Sequence, residues 1–564
     1  MRRKTQAIIG TVLCTAMVVA GCTSKEEGSG SPSPSAGTTA SSTPDPNKPV
    51  VENGIELTPA GTYPITKQKV TLRVFAPIDA SIEDLNTNEL TKEYEAKTNV
   101  HIEWMLVSDK DLEQKKNLLL ASNSDMPDIF LNAKITTSQQ AQFGAQGVLR
   151  PLNELIDQYG TNLKKLLEYD SLLRSMMTAP DGKIYALPAS TETYHTVFGQ
   201  KLWINQAWLT KLGLNAPTTT DEFFDVLKAF KERDPNGNGK PDEIPFTGAT
   251  NGYMLNIFGY LMNAFIQNQG FDQKPFLLKD GKVSVSFDQP EWREGLRYLN
   301  KLYKAGLLDP GALTQDNNQL KQLAANKDSL LGAVSAGAMT GFLTNGVERM
   351  KDYTALAPLK GPAGVQSTGY YPYQEDLTKF AISSASKYPQ IAMRWVDWFY
   401  SQAGTLRANA GREGIEWRLG KPDEVGMNGK PATYVRMLLF GKTQNVHWNQ
   451  MTPLFMTRDF RNGVISDPTN QETILYNETK KKYEPYQPKE VLPPVFMTAE
   501  EAEEFNGIDA SMKPYLVQAA SKFVVGDLDL DKDWNSYLQQ LDKIGLKRYI
   551  ALTQSAYDRG YKKK

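Results

Sequence analysis

Val70-Thr71-Leu72-Arg73-Val74-Phe75 alternates apolar and polar side chains, the period-two pattern of a strand with one face buried. Outward from it, residues 89–97 read as a helix and Val100-His101-Ile102-Glu103-Trp104 as a second alternating strand. Residues 109–121 read as another helix, carrying Leu112, Leu118, Leu119 and Leu120, and Asp128-Ile129-Phe130-Leu131 is a short apolar strand behind Pro127. Strand and helix alternate, which predicts a parallel sheet with helices on its faces.

The alternation resumes farther along. Lys201-Leu202-Trp203-Ile204 reads as a strand, residues 206–212 as a helix, and residues 220–233 as a longer helix. Thr219 and Glu222 form a capping box at its start, and Phe223, Leu227 and Phe230 share one face. Residues 329–334 and 379–382 are further strand candidates, and residues 389–400 are helical. Trp534, Leu538 and Leu541 mark an amphipathic helix near the C-terminus. No repeat of fixed period is visible. Two such runs in one chain predict an α/β fold of two lobes with an interlobe cleft, and ligands of such sheets bind beyond strand ends or between domains.

The N-terminus sets the compartment. Arg2, Arg3 and Lys4 precede an uncharged, mostly apolar stretch over residues 7–20. That is too short for a bilayer, which needs about 20 apolar residues, and fits the core of a signal peptide. The stretch ends in Val19-Ala20-Gly21-Cys22, whose small residues and thiol resemble the lipobox of bacterial lipoproteins. That resemblance implies cleavage before Cys22 and a diacylglyceryl group on its sulfur, a two-chain anchor that holds a protein at the membrane. Of the two cysteines, Cys14 would leave with the signal peptide, so no intramolecular disulfide is expected and the core must stabilise the fold. Residues 28–46 hold no aromatic side chain and no aliphatic larger than Ala, the composition of a flexible tether.

Charge excludes some partners. The chain has 63 basic and 64 acidic residues; without the leader 60 and 64 remain, a net of −4. No basic stripe points to nucleic acid, and the basic tail at residues 562–564 reads as a solvated terminus. No later segment is apolar enough to span a membrane.

Asp234-Pro235-Asn236-Gly237-Asn238-Gly239-Lys240-Pro241-Asp242-Glu243 is the sharpest motif. Oxygen side chains stand at loop positions 1, 3, 5, 9 and 10, Gly239 takes the turn position 6, and Lys240 at position 7 offers its carbonyl. Ca²⁺ takes about 6–8 oxygens at about 2.3–2.6 Å, and this spacing wraps one ion. Position 12 is Pro245 rather than Glu, so Glu243 must supply the closing carboxylate, and a strand-like Ile244-Pro245-Phe246-Thr247 follows instead of an exiting helix. The loop is therefore expected to be a structural Ca²⁺ site, not a sensor, with Asp234, Asn236, Asn238, Lys240, Asp242 and Glu243 as ligands.

Taken in order, these segments resemble the extracellular solute-binding proteins of ABC importers, in particular lipoproteins of the carbohydrate-type family and the calcium-containing alginate-oligosaccharide-binding proteins. The resemblance rests on Met126-Pro127-Asp128-Ile129-Phe130, Asp181-Gly182-Lys183-Ile184-Tyr185-Ala186-Leu187-Pro188, Leu202-Trp203-Ile204-Asn205, the calcium loop, Gly411-Arg412-Glu413-Gly414-Ile415-Glu416-Trp417 and residues 534–557. It implies a periplasmic-binding-protein-like pair of lobes, with crossings near residues 182–188 and 370–377. It also implies an oligosaccharide ligand, permease subunits as partners, a monomer and a lipid-anchored place on the outer face of the membrane. The expected division is a signal peptide over 1–21 and a lipidated tether over 22–68. The first part of the N-lobe follows over 69–188, the C-lobe core with the calcium loop over 189–370, and return segments completing both lobes over 371–564.

Sugars need aromatic platforms and planar polar groups. Trp417, set among Gly411, Arg412, Glu413, Gly414 and Glu416, is the first candidate, followed by Trp448 among amides, Tyr371 in a tyrosine cluster and Tyr194. Trp395 and Trp398 share a helix face and read as core. Catalysis is not expected. The three histidines, His101, His195 and His447, belong to no HExxH motif, no CxxC or P-loop is present, and Ala333-Val334-Ser335-Ala336-Gly337 lacks the first glycine of a nucleophile elbow. The alternatives are a peptide receptor of an importer and a secreted glycoside hydrolase or lyase, which needs two placed carboxylates.

Overall fold

The seven runs read as strands pair with three that had no strand signal, at Leu187–Thr191, Tyr353–Leu356 and Phe455–Met456, in two sheets of six and four strands. The computed structural model describes residues 50–562 apart from 110, 345, 374 and 439–441. The strands are β1 (Val70–Pro77), β2 (Val100–Val107), β3 (Ile129–Leu131), β4 (Leu187–Thr191), β5 (Leu202–Asn205), β6 (Ile244–Thr247), β7 (Leu331–Ser335), β8 (Tyr353–Leu356), β9 (Asp376–Ile382) and β10 (Phe455–Met456). The order in the first sheet is β10-β4-β9-β3-β1-β2, and in the second β8-β5-β7-β6. The leader and Cys22 lie outside the described residues.

Neither sheet is wholly parallel. β1 pairs in parallel with β2 and β3, but β9 runs antiparallel between β3 and β4 because it re-enters the first lobe from the second. In the second sheet only β6 and β7 are parallel, and β5 runs antiparallel to β7 and β8. Each lobe closes over its own core. Val74, Ile129, Phe380 and Trp395 are buried in the first, and Trp203, Phe223, Phe246 and Trp292 in the second. The helix Thr220–Glu232 forms as its capping box predicts, with Glu222 and Thr219 bonded reciprocally. Its buried Phe223, Leu227 and Phe230 each contribute about 1.5–3 kcal/mol.

The tether expected over 22–68 is too long at its C-terminal end. Val50–Glu52 and Ile55–Leu57 form a hairpin, Leu57 and Ile65 are buried against the first lobe, and Glu52 accepts hydrogen bonds from the N–H groups of Gln390 (2.8 Å) and Ile391 (3.1 Å). Apolar side chains in this segment find a surface to cover, so it folds.

Three segments join the lobes. Residues 192–201 lead from β4 to β5 through the 3₁₀ turn Tyr194–Phe198, residues 357–375 return from β8 to β9, and residues 457–470 lead from β10 to the helix Gln471–Lys482. That last helix docks on β8, where Glu478 accepts from Ala355 N–H at 3.1 Å. The helix Ala499–Val525 also spans both lobes. Asn506 accepts from Ser138 of the first at 2.7 Å, and Asn300 of the second donates to its Val524 carbonyl at 2.9 Å.

Candidate ligand-binding cleft

The crossings leave a cleft between the lobes. Its central part encloses about 400 Å³, with Thr191, Gln450 and Asp376 on the first-lobe side, Gln200, Met254, Gln269 and Lys274 on the second, and Tyr371 and Tyr373 on the return crossing. One end continues past Arg436, Arg461, Glu472 and Asn409, the other past Tyr253, Asn256 and Asp272. Amides, guanidinium groups and phenol rings dominate the lining, the donors, acceptors and flat faces that a polyhydroxylated ligand requires.

Tyr253 is the exposed ring of the second-lobe wall, 42 % accessible. It lies flat on Gly337, where a Cβ would fall 2.3 Å from the ring, and the Gly337 N–H donates to its carbonyl at 2.9 Å. The next residue, Met254, sits at φ 54°, an uncommon left-handed conformation for a non-glycine residue. Burial by the surrounding walls, aided by the Glu472 carboxylate, raises the Tyr253 phenol well above its ordinary pKa, so it stays a neutral donor.

Behind the wall runs a buried amide network. Asn263 donates to Gln200 Oε1 (2.7 Å), its own Oδ1 accepts from Asn268 N–H (2.9 Å), and Asn268 donates to the Phe258 carbonyl (2.9 Å). Gly369 of the return crossing packs on Gln200, where a Cβ would fall 2.4 Å from Oε1. These bonds fix the segment that carries Gln269 and Lys274.

Most charges of the cleft are matched. Arg461 pairs with Glu472; burial alone would raise the Glu472 carboxyl, but Arg461 holds it well below the usual range. Asp376 pairs with Lys379 at 3.3 Å. His195 lies 3.9 Å from Glu472, and burial pulls it down to about 4, so it is neutral.

The structure brings together few of the residues expected at the site. Tyr371 lines the cleft, and its N–H ties the return crossing to the first through the Val197 carbonyl at 2.8 Å. Tyr194 packs between Phe198 and Tyr476 and is absent from the lining. Trp448 is 1 % exposed in the first-lobe core, its indole N–H bonded to Thr91 Oγ1 at 2.9 Å, and has no face for a sugar. Trp417 is 6 % exposed, its N–H donates to the Gly411 carbonyl at 3.1 Å, and it packs with Met427, Tyr434 and Leu454. Arg412 is held by Glu416 and by Glu89 (both 2.6 Å), and Glu413 borders a separate groove beside Trp417. Sequence reasoning missed Tyr253, Met254, Gln269, Lys274, Arg436 and Arg461; only Tyr253 had a signal, the Asn251-Gly252 turn before it.

The calcium loop follows the capped helix Thr220–Glu232 and precedes β6. Asp234 accepts N–H bonds from Gly237 (2.9 Å), Asn238 (3.1 Å) and Gly239 (3.0 Å), while Asn236 and Asn238 accept from the loop backbone at 3.0 and 2.8 Å. Both Glu243 oxygens are buried without a hydrogen bond. Burial, then Asp234 and Asp242, raise its carboxyl; the amides of Asn236 and Glu243 lower it without reaching hydrogen-bond geometry. Among the described residues no group of three or more His, Cys, Asp or Glu side chains is disposed to hold a metal ion. The donor set here is mixed, with amide and carbonyl oxygens beside the carboxylates, and the unpaired Glu243 carboxylate is one that a hard cation would satisfy.

Two α/β lobes, crossing segments and a polar cleft with aromatic walls are the build of a protein that holds a ligand between its lobes. The chain belongs to the bacterial extracellular solute-binding proteins, the family matched over residues 80–405. It is 30 % identical over 511 residues to the fructooligosaccharide ABC transporter substrate-binding protein FusA of Streptococcus pneumoniae, covering 88 % of this chain and 91 % of that one. The structure of FusA in complex with kestose superposes with a TM-score of 0.77 at 28 % identity, over 88 % of this chain and 100 % of that chain. An EF-hand mutant of FusA with fructo-nystose gives 0.76 at 28 % identity over the same shares. The alginate-binding protein AlgQ2 without calcium ion shares the fold alone, with a TM-score of 0.69 at 23 % identity over 89 % of this chain and 100 % of that one.

Proposed function

We propose that this chain is the substrate-binding component of an ABC importer, capturing an oligosaccharide between its lobes and handing it to permease subunits. The observation that carries this is the lining of the cleft, where Tyr253 and Tyr371 stand among Gln200, Gln269, Gln450 and Asn409. Amides bond hydroxyl edges and phenol rings cover C–H faces. The kinship with FusA supports the sugar and the importer. Capture without conversion is favoured by the chemistry of the chain: Ser335 is buried with its hydroxyl bonded to the Asn256 carbonyl at 2.9 Å, and Glu472 is locked to Arg461.

Three further assignments belong to this reading. Ca²⁺ sits in the loop 234–243, with Asp234, Asn236, Asn238, the Lys240 carbonyl, Asp242 and Glu243 as ligands; the orphaned Glu243 carboxylate supports it. The ion would neutralise the clustered carboxylates and tie the helix Thr220–Glu232 to β6. A lipid on Cys22 holds the protein at the outer face of the membrane, and the protein works as a monomer.

A panel of neutral and acidic oligosaccharides, followed by small-angle scattering and product analysis, tests the proposal. Saturable binding with a smaller radius of gyration and unchanged saccharide is expected. Shortened products released without an importer overturn it in favour of a hydrolase or lyase.

A further inference from the structure

Among the described residues of the cleft, Gln269 Nε2 and Asn409 Oδ1 are buried without a hydrogen bond, and Lys274 is a cation without an ion pair. Gln269 is 8 % exposed, yet its buried Nε2 donates to nothing. Lys274 forms no ion pair with any described residue, whereas Arg461 is paired with Glu472. Its ammonium lies over the Tyr371 ring, 3.2 Å from the centroid. Both side chains line the central cavity, its continuation past Tyr253 and a further groove beside Phe276 and Tyr549. Both stand on one short segment, kept rigid by the buried amides of Gln200, Asn263 and Asn268 and by a turn in which Lys274 N–H donates to the Gly270 carbonyl at 2.7 Å.

Resting on the sugar-capture reading above, we infer that Gln269 and Lys274 form a donor pair that selects the ligand by gripping adjacent acceptor oxygens of one sugar unit. The oxygens are those of a carboxylate or of neighbouring hydroxyls. The Lys274 ammonium covers one face of the Tyr371 ring, so on that side the cleft presents a donor. Burial alone pulls the ammonium down to about 8, a cost that an acceptor-rich ligand relieves. An unsatisfied buried donor on a rigid wall is what a ligand oxygen completes, and a charge-assisted bond is stronger than a neutral one.

The test is titration calorimetry on the full chain with neutral probes (kestose, maltotriose) and an acidic probe (trigalacturonic acid). For whichever probe binds, Lys274→Met and Gln269→Leu should each weaken affinity about 10- to 100-fold, the range of a bond to a charged group. The double variant should lose less than the product of the two, because both grip one group. Affinity that falls as salt is raised identifies a carboxylate; affinity indifferent to salt identifies hydroxyls. Melting temperatures confirm folding, with Lys274→Gln replacing the methionine variant should that melt low. Full affinity in folded Lys274 and Gln269 variants overturns the inference and leaves sugar capture standing. A wild-type protein that binds no saccharide overturns both.

Discussion

Trp417 stands among glycines and charges in the sequence, which reads as an exposed platform. In the fold those charges bond one another, Arg412 with Glu416 and Glu89, and the ring completes a small core. Trp417→Ala should therefore lose about 3–5 kcal/mol of stability by chemical denaturation, as buried tryptophans do; a near-wild-type midpoint would contradict this. Flanking polarity does not distinguish a wet ring from one whose neighbours are paired. Histidine burial gives a second expectation. Burial is the largest cause pulling His195 and His447 down to about 4, whereas the unfolded chain binds these protons near pH 6.5. Between those values the unfolded state holds more protons, so stability falls as pH drops from about 6.5 to about 4, by on the order of 1–3 kcal/mol per histidine. His447→Asn should flatten that slope in denaturation curves at successive pH values; an unchanged slope would refute the assignment.

Elements with local signals were legible. The capping box of Thr220–Glu232 and the alternation of β1 and β2 are written in neighbouring residues and appear as read. The helix Ala499–Val525 was not, because Pro514 lies inside it and argues against a helix interior; contacts with both lobes override that preference. The calcium loop is an element whose oxygens were legible as spacing. If Ca²⁺ fills it, chelation should lower the melting temperature, the ion contributing about 2.7–4 kcal/mol at 100 to 1,000 times its Kd. Asp234→Ala should lose most of that sensitivity in calorimetric scans. A melting temperature indifferent to chelator in the wild type would remove the ion from the loop.

The two-lobe plan of the molecule was legible because strand–helix alternation occurs twice. The cleft was not, because its lining comes from segments near residues 191–200, 253–274, 371–376 and 436–472, which only the crossings and the long-range pairing of β9 and β10 bring together. Among the described residues no helix is long and apolar enough to cross a membrane. If Cys22 carries the proposed lipid, Cys22→Ser should abolish lipid labelling and release the protein to the medium; continued lipid labelling of that variant would contradict the anchor. Whether sugar is held between the lobes is read by titration calorimetry of wild type and Tyr253→Ala with the best-binding oligosaccharide of the panel. Tyr253 is 42 % exposed, so its removal should leave the melting temperature near wild type while weakening binding at least about tenfold. A folded Tyr253→Ala protein that binds the sugar with undiminished affinity would contradict the account.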